Sequence, residues 1–420
     1  MPQFDSEAAK ACPVQFDHHT EEHARHWPDE FRKLREETPR AWTESYGGFW
    51  VATRLADIVG VTQNSDAFSA HKEVDFETGT STGGVTIPAT GTTRGIPNEA
   101  DNPEWEGIRR FLNRNFAPRA IEERRAKARE LTAAVIDMVI EKGEMDIVDD
   151  LTSPLPALVT MEIFGFPLEE WRKFADPFHR MTHTSIHDPR WEETIRGLDY
   201  FRERVDEEIA KREVEPKDDF LTMLATGKIN GEPLTWQQKR DLSFNILAGG
   251  VDTTTALTSH ALLYLARNPQ DRQRLIDDPD LLPFACEEFI RYFSPIHALS
   301  RTAIKDTEVN GWPIKQGERV LIAYSAGNRD PEAFEDPETV KIDRFPNKHI
   351  GFGSGMHRCL GSFLARMMFQ EMVSEVLRRL PDYTVDEAGV RPYPSISGVN
   401  GYIAIPARFT PGAKVGAVIA

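Results

Sequence analysis

A glycine-rich loop that ends in a cysteine is the strongest indication of how this chain folds. The stretch His349–Gly361 reads HIGFGSGMHRCLG, with glycines at 351, 353 and 355 and a cysteine at 359. Glycine lets a backbone turn tightly and approach a flat object without a Cβ clash. The residues that follow predict a helix, because their apolar members recur at helical spacing. That stripe consists of Leu360, Leu364, Met367, Met368, Met372, Val376 and Leu380.

Cys359 alone has three interpretations: core filler, catalytic nucleophile or metal ligand. Its position ahead of a helix favours a thiolate, because backbone N–H groups and the helix dipole stabilise negative charge there. His357 and Arg358 add positive charge, and Phe352 adds an apolar face. A thiolate in this setting suits an iron porphyrin with acidic side arms. A nucleophile is disfavoured, since the sequence assigns it no helper histidine with an asparagine or aspartate.

Composition argues against several other classes of protein. The 420 residues are 40% hydrophobic, enough to bury a large core. A net charge of -17 argues against a nucleic-acid scaffold, and no apolar run reaches the length of a membrane span. The amino terminus lacks the basic and apolar regions of a secretory signal. Cys12, Cys286 and Cys359 form no CxxC pair, so the sequence predicts neither a structural zinc site nor a disulfide framework, and it indicates a cytoplasmic location.

Patterns along the chain predict a few strands among many helices. Aromatic runs around two glycines in Ala41–Thr53 predict a hairpin, and Lys305–Leu321 and Tyr402–Pro406 have strand-like character. The segment Glu77–Pro103, rich in glycine and threonine, predicts a long mobile loop that acts as a lid. Most of the chain from about Pro103 to Pro295 is helical in pattern.

One predicted helix is much longer than the rest. Trp236–Asn268 predicts a helix of roughly 30 residues, which begins at a capping-box signature formed by Thr235 and Gln238. Gly249 and Gly250 lie in its middle, where each glycine costs about 1 kcal/mol relative to alanine.

Two interpretations of that glycine pair remain open. Either it allows another helix to pack closely, or it opens a groove beside a flat cofactor. In the second case Asp252 and Thr253, which follow directly, supply an acid and an alcohol to the groove.

The two motifs together resemble one family. FGSGMHRCLG, at Phe352–Gly361, resembles the haem-ligand signature of the cytochrome P-450 family, and Gly249–Thr253 resembles its oxygen-activating motif. The resemblance covers nearly the whole chain. It implies a mainly α fold with a smaller β-rich lobe, the haem-thiolate prism, as a single domain over residues 1–420. The β-rich part is expected mostly at about 40–70, 300–325 and 385–410, and the helical part at about 103–295 and 359–380.

The resemblance also implies a cofactor and site residues. The cofactor is haem b, Cys359 is the iron ligand, and Asp252 and Thr253 deliver protons during oxygen activation. Many bacterial members carry a histidine four residues before the arginine at 109, whereas this chain has Trp105; the alternative is that Trp105 is core. The residues implied to bind haem are Trp105, Arg109, Gly249, Arg301, Phe352, His357, Cys359 and Gly361.

A third motif implies structure rather than chemistry. Glu288 and Arg291, in EEFIR, resemble the family's structural ExxR pair, and Arg344 resembles the third member of that trio. Without the resemblance, the pair reads as an ordinary surface ion pair on one helix face.

The implied activity is oxygen-dependent hydroxylation of a small apolar molecule, with electrons from a separate ferredoxin and its reductase. The segments WTESYGGFWV and PNKHIGFGSGMHRCLG resemble bacterial terpene-hydroxylating members, which favours a cyclic terpenoid. Asn245 or His297 would hold its single oxygen. The expected pocket residues are Val85, Ile87, Asn245, Ala248, His297, Leu299, Ile396 and Val399. The expected docking patch for the electron donor is Arg109, Arg110, Arg114, Lys348, Arg358 and Arg366.

Several alternatives to this activity stay open. The same chemistry can act on a steroid, an aromatic compound or a fatty acid. A haem-based sensor needs no proton delivery, and peroxygenases on this scaffold often lose the acid–alcohol pair. The presence of Asp252 and Thr253 therefore favours the monooxygenase over both.

Overall fold

The structure is a computed structural model that describes residues 4–91 and 93–419. The α-helices are α1 (Ser6–Ala11), α2 (Glu21–Glu37), α3 (Leu55–Gln63), α4 (Glu104–Phe116), α5 (Pro118–Glu122), α6 (Arg125–Asp137), α7 (Pro154–Phe164), α8 (Trp171–His183), α9 (Trp191–Arg196), α10 (Asp199–Val214), α11 (Phe220–Thr226), α12 (Trp236–Arg267), α13 (Pro269–Asp277), α14 (Leu282–Phe293), α15 (Tyr324–Gly327) and α16 (Ser362–Arg379). No helix in these two ranges is long and apolar enough to cross a membrane.

Short strands fill the regions between the helices. They are β1 (Arg40–Thr43), β2 (Phe49–Ala52), β3 (Phe68–Ser69), β4 (Lys72–Asp75), β5 (Thr80–Gly83), β6 (Glu144–Asp146), β7 (Lys228–Ile229), β8 (Glu232–Pro233), β9 (Leu299–Ala303), β10 (Thr307–Val309), β11 (Trp312–Ile314), β12 (Arg319–Ile322), β13 (Thr384–Val385), β14 (Arg391–Pro392), β15 (Tyr402–Ala404) and β16 (Pro406–Arg408).

The largest sheet joins two distant parts of the chain. Its strand order is β1-β2-β12-β9-β3. The predicted hairpin is confirmed: β1 and β2 pair antiparallel with Trp42 opposite Trp50, and the turn between them has positive φ at Tyr46, Gly47 and Gly48. Strand β12 then runs parallel to β2 and antiparallel to β9. This pairing fixes Arg301, a predicted haem-binding residue, in an inner strand of the sheet.

The carboxyl-terminal strands join the helical part of the molecule. Strand β16 pairs with both β13 and β6, and the Ile405 N–H donates to the Asp146 carboxylate at 3.2 Å. Strands β14 and β15 form a separate ladder. The strand character predicted at Tyr402–Pro406 is therefore confirmed as β15, which pairs with β14, and the start of β16, which pairs with β13 and β6.

The long helix is confirmed as α12. Thr235 accepts a hydrogen bond from the Gln238 backbone while the Gln238 side chain accepts one from the Thr235 backbone, and the helix ends at Asn268. It contacts α7, α8, α14 and α16. Because α12 contacts four other helices, it crosses the helical part of the molecule, and its residues face several neighbouring helices.

The segment Glu77–Pro103 is less open than the sequence predicts. Residues Thr80–Gly83 form β5, which pairs with β4, so the prediction of a loop is wrong there. Beyond β5 the chain is irregular, but the buried Lys72 holds it in place. Lys72 Nζ donates to the carbonyls of Thr90 and Thr93 at 2.6 and 2.8 Å. Thr92 lies outside the described residues.

A buried ion cluster holds the segment that leads to Cys359. The side chains of Glu288 and Arg291 are fully buried, and Arg291 donates to both Glu288 carboxylate oxygens at 2.8 Å. Arg344 Nε adds a third contact, to Glu288 Oε2 at 2.9 Å. The predicted trio is confirmed, and burial excludes the interpretation as a surface pair. Arg291 also donates to the Asn328 carbonyl at 2.9 Å, which ties α14 to the chain after α15.

Replacing Arg291 with methionine is expected to destabilise the protein strongly. The change leaves the Glu288 carboxylate buried without its main partner, a loss that costs about 3–5 kcal/mol. Urea unfolding measures it, with Arg119→Met as the matched control because that arginine pairs with Glu123 on the surface. Arg119→Met should change the midpoint little. Equal effects of the two substitutions would contradict the assigned role of the buried cluster.

Candidate active site

The Cys359 loop is held by its own backbone. The Cys359 N–H donates to the Phe352 carbonyl at 2.8 Å, and the Gly353 N–H donates to the Ile350 carbonyl at 2.8 Å. Gly353 and Gly355 have φ of 72° and 71°, values that glycine adopts without strain. Helix α16 begins at Ser362, just after the loop. The predicted irregular loop at the start of a helix is confirmed.

Cys359 is an exposed residue that lines the central cavity. Desolvation raises the pKa of the thiol above its ordinary value. The Gly361 N–H and the guanidinium groups of Arg109 and Arg366 act in the opposite direction and favour a thiolate. Cys359 thus lies where a positively charged partner on the cavity side, such as a metal ion, favours the ionised form further.

The central cavity lies between α12 and the Cys359 loop. It holds about 1460 Å³ of unfilled space, mouth included. Gly249 and Thr253 line it from α12, and Phe352, Cys359 and Leu360 line it from the loop. A Cβ built on Gly249 would meet no atom within 4 Å, and neither would one built on Gly361, so both glycines leave open space on the cavity side.

Gly250 has a different role from its neighbour. A Cβ on Gly250 would come within 2.9 Å of Thr160 Oγ1 on α7. The close-packing interpretation is therefore confirmed for Gly250, and the open space at Gly249 agrees with a groove in the cavity wall. Gly250 lets α7 approach α12, and Gly249 keeps the cavity wall flat.

Four side chains with nitrogen donors lie near one edge of the cavity, and among the described residues none of the four forms an ion pair with a carboxylate. Asp101 acts on Arg301 and His357 only through space. Trp105 Nε1 and His357 Nδ1 are buried and have no hydrogen-bond partner, and their rings lie 6.1 Å apart. Arg301 is buried and donates to the Ser300 carbonyl at 2.8 Å. Burial lowers the pKa of Arg301 and of Arg109, and it lowers the pKa of His357 to about 3.

This donor set fits a porphyrin that carries carboxylate arms. Unpaired buried donors cost free energy unless an acceptor satisfies them. Carboxylates at this edge would satisfy Trp105, Arg109, Arg301 and His357 together, while Gly249 and Gly361 leave room for a flat ring and Cys359 offers a metal ligand. Trp105 packs against the helical core, which agrees with its alternative as a core residue, and its unsatisfied N–H beside His357 leaves a binding role as a prediction.

Asp252 and Thr253 lie on different faces of α12. Thr253 lines the cavity, and its hydroxyl donates to the Gly249 carbonyl at 2.8 Å. Asp252 is 1% exposed and turns away toward α8. There it meets His179 Nδ1 at 2.7 Å and accepts from the Tyr393 hydroxyl at 3.0 Å. The sequence prediction missed both partners.

The predicted pocket residues divide into two groups. Val85, Asn245 and Leu299 line the central cavity. Ala248 packs against the helical core, Ile87, Ile396 and Val399 belong to an apolar cluster with α2, and His297 is buried beside that cluster. The cavity wall instead includes residues that the prediction omitted, among them Pro97, Asn98, Ile246, Leu257 and Ile296.

His297 points to the amino-terminal helix and away from the cavity. Its Nε2 lies 2.8 Å from His23 Nε2, and its Nδ1 lies 3.0 Å from Ser325 Oγ. With both ring nitrogens occupied, His297 has none left to bind a substrate oxygen, so its predicted role needs correction. Asn245 remains, with its Oδ1 accepting from Asn98 Nδ2 at 3.3 Å.

Comparison with known proteins identifies the family of the chain. A family model described as Cytochrome P450 matches residues 39–387. The chain is 30% identical over 371 residues to the steroid C26-monooxygenase of Mycolicibacterium smegmatis, covering 88% of this chain and 89% of that protein. It is 30% identical over 405 residues to cytochrome P450-terp of a Pseudomonas species, covering 90% of this chain and 92% of that protein.

A solved structure supports the same relationship. Mycobacterium marinum cytochrome P450 CYP268A2 in complex with pseudoionone superposes with a TM-score of 0.86 at 25% identity, over 94% of this chain and 99% of that chain. The superposition confirms the predicted mainly α fold with a smaller β-rich lobe.

Alanine at the two glycines of α12 is expected to have opposite effects on stability. Gly249→Ala should stabilise the haem-free protein by up to about 1 kcal/mol, because alanine favours a helix and its Cβ enters open space. Gly250→Ala should destabilise it by about 1–3 kcal/mol through overpacking against Thr160. Thermal unfolding of the haem-free protein measures both. The same sign for both substitutions would contradict the division of roles.

Proposed function

Because the chain belongs to the cytochrome P450 family of haem-thiolate monooxygenases, we propose that it hydroxylates a compact, mostly apolar molecule at a haem held by Cys359. The observation that carries the proposal is the central cavity, which both Cys359 and Thr253 line. A haem ligand and a proton-delivering alcohol thus face the same space.

Six side chains and two glycines would hold the haem. Cys359 would ligate the iron, and Trp105, Arg109, Arg301 and His357 would bind the carboxylate arms. Gly249 and Gly361 would border the ring, and Phe352 would pack beside it. When bound, a cysteine-ligated haem activates oxygen, with the thiolate promoting cleavage of the O–O bond.

The protein's part in the reaction is to deliver protons and exclude water. Thr253 keeps its hydroxyl hydrogen on the Gly249 carbonyl at rest, and rotation about the Cβ–Oγ bond redirects that hydrogen to the cavity. Asp252 lies one residue earlier on the helix and is buried, so it can replace the proton that Thr253 gives up once its side chain turns. Apolar residues on the cavity wall keep bulk water away from these steps.

The cavity wall favours a small apolar substrate with one oxygen, such as a cyclic terpenoid. Val85, Ile246, Leu257, Ile296 and Leu299 supply apolar surface. Asn245 offers its amide N–H to one ether, ketone or hydroxyl oxygen. The cavity's arginine, Arg301, is assigned to the haem, so a fatty acid finds no partner for its carboxylate among the described lining residues.

Electrons come from a separate donor in this proposal, a ferredoxin served by a reductase in the cytoplasm. Arg114, Lys348 and Arg358 are exposed near the Cys359 side and offer positive charge to an acidic partner. Arg366 pairs with Glu287 at 2.5 Å and Arg110 pairs with Glu106 at 2.7 Å, so these two contribute less to the patch than the sequence implies.

Turnover assays test the proposed activity. With NADH, a ferredoxin, its reductase and oxygen, the protein should form a hydroxylated product that carries one atom from ¹⁸O₂. Hydrogen peroxide alone should support far less product. Product formed only with peroxide, or oxygen binding without any product, would show a peroxygenase or a sensor instead.

Removing the Thr253 hydroxyl is expected to uncouple the reaction. Thr253→Ala should keep substrate binding but reduce product per NADH by roughly tenfold, with peroxide released instead, because protons no longer arrive in order. Thr255→Ala is the matched control, since the Thr255 hydroxyl donates to the Thr152 carbonyl at 2.8 Å and not to the cavity. Full coupling in Thr253→Ala would refute the role of the alcohol.

The substrate class is tested by binding, measured as the shift of the haem band from low to high spin. Monoterpenoids should bind more tightly than steroids, alkylaromatics or fatty acids. Asn245→Leu should weaken an oxygenated monoterpenoid by roughly fivefold, the value of one hydrogen bond, without weakening its hydrocarbon counterpart. Tight binding with a full spin shift by a steroid alone would overturn the substrate class and leave the monooxygenase activity standing.

A further inference from the structure

The Asp252 carboxylate is shut off from the cavity that it is proposed to serve. Its side chain is 2% exposed and both oxygens are engaged. Oδ1 lies 2.7 Å from His179 Nδ1, and Oδ2 accepts from the Tyr393 hydroxyl at 3.0 Å. The same hydroxyl lies 3.1 Å from His179 Nδ1, so three polar groups form one closed triangle. A carboxylate held in this way needs a source for the proton it delivers.

His179 connects that triangle to the surface. It lies on α8, which packs against α12, and 17% of its side chain is exposed compared with 2% for Asp252. Its ring therefore reaches from a buried carboxylate to the edge of the protein. Histidine is also the side chain whose ordinary pKa lies nearest neutrality, which suits it to passing protons.

We infer that His179 supplies the protons that Asp252 delivers, and that the His179–Asp252–Tyr393 triangle is the resting position from which Asp252 turns toward the cavity. This inference rests on the proposed proton-delivering role of Asp252 and Thr253. His179 acts through Asp252 and is a positioning residue, since it touches neither the cavity nor the cofactor site.

The proton transfer balances at each atom. The imidazolium form of His179 carries a proton on both ring nitrogens. Its Nδ1 proton passes to Asp252 Oδ1, which leaves a neutral ring and a neutral carboxyl group. Neutralisation removes the ion pair, so the carboxyl side chain is released to rotate and give its proton to Thr253. The ring then regains a proton from water, and the returning carboxylate restores the ion pair.

Tyr393 holds the carboxylate without competing as an acid. Burial and the Asp252 carboxylate raise the pKa of Tyr393 well above its ordinary value, so the phenol keeps its proton. It contributes a neutral hydrogen bond that does not depend on the charge of His179 and that breaks when the Asp252 carboxyl group rotates toward the cavity. The titrating member of the triangle is then the histidine.

The charges around His179 favour its protonated form. Burial opposes the charge, but Asp252, helped by Asp176 and Asp149, outweighs burial and raises the pKa of His179 above its ordinary value. His183, one turn along α8, stays neutral because burial and the His179 charge lower its pKa to about 4. The other charged groups that act on this cluster are Arg172 and Arg180 of α8 and Arg190, which precedes α9.

The sign of the pH effect follows from that raised pKa. At pH values below the pKa of His179, its ring is charged, the ion pair with Asp252 is intact and a proton is available. As the pH rises through that pKa, His179 loses its charge, so both the ion pair and the proton supply decline. The rate of product formation should therefore fall with rising pH, with a midpoint above about 6.5, the ordinary value for histidine.

The experiment compares His179→Gln with wild type across pH, with His183→Gln as the matched control on the same helix. His179→Gln should form product roughly tenfold more slowly, lose the pH midpoint and show a larger solvent isotope effect. Haem content and the substrate-induced spin shift should stay unchanged. His183→Gln should behave as wild type, because His183 is already neutral in this range.

Further measurements separate the possible failures. Asp252→Asn, assayed in parallel, should also be slow. If Asp252→Asn is slow while His179→Gln matches wild type in rate, pH profile and isotope effect, the inference about His179 is overturned and the proposed function stands. If Asp252→Asn is as fast as wild type, the proposed proton route falls and the inference falls with it. Wild-type turnover that is flat from about pH 6 to about pH 9 overturns the inference without any variant.

Discussion

The buried ion pair between Glu288 and Arg291 supports the whole arrangement around Cys359. Removing two charges from water is costly, so such a pair persists only where hydrogen bonds satisfy it fully. Here Arg291 reaches the Asn328 carbonyl, and the Asn328 side chain accepts from the Ile350 N–H at 2.8 Å at the start of the Cys359 loop. One continuous set of bonds thus runs from α14 to the loop. The ion pair fixes the position of a loop whose glycines cannot fix it alone.

The geometry of α12 explains why an adjacent acid and alcohol need different surroundings. Successive residues on a helix point about 100° apart, so neighbouring side chains can have different surroundings. Thr253 faces the cavity, and Asp252 faces α8, where His179 and Tyr393 bind it. The alcohol borders the cavity, and the buried acid contacts His179, whose side chain is 17% exposed. The proposed proton route needs both positions, and consecutive residues on one helix supply them.

The sequence predicted the elements that are local and missed the contacts that are not. A capping box defined the start of α12, two glycines defined the hairpin turn, and a motif of ten residues identified the Cys359 loop. His179 and Tyr393 lie 73 and 141 residues from Asp252 in the chain, and neither belongs to a local pattern. The same limit explains His297: the resemblance implies a place in the pocket, but the direction of its ring depends on His23, in a helix far away in sequence.

The central claim is that Cys359 ligates the iron as a thiolate, and the absorption spectrum of the reduced protein with carbon monoxide tests it most directly. Thiolate ligation shifts the Soret band strongly to the red relative to histidine-ligated haem. Folded wild-type protein should show the red-shifted band, and Cys359→His should lose it even if haem stays bound. A histidine-type band in folded wild-type protein, or a red-shifted band that persists in Cys359→His, would contradict the claim.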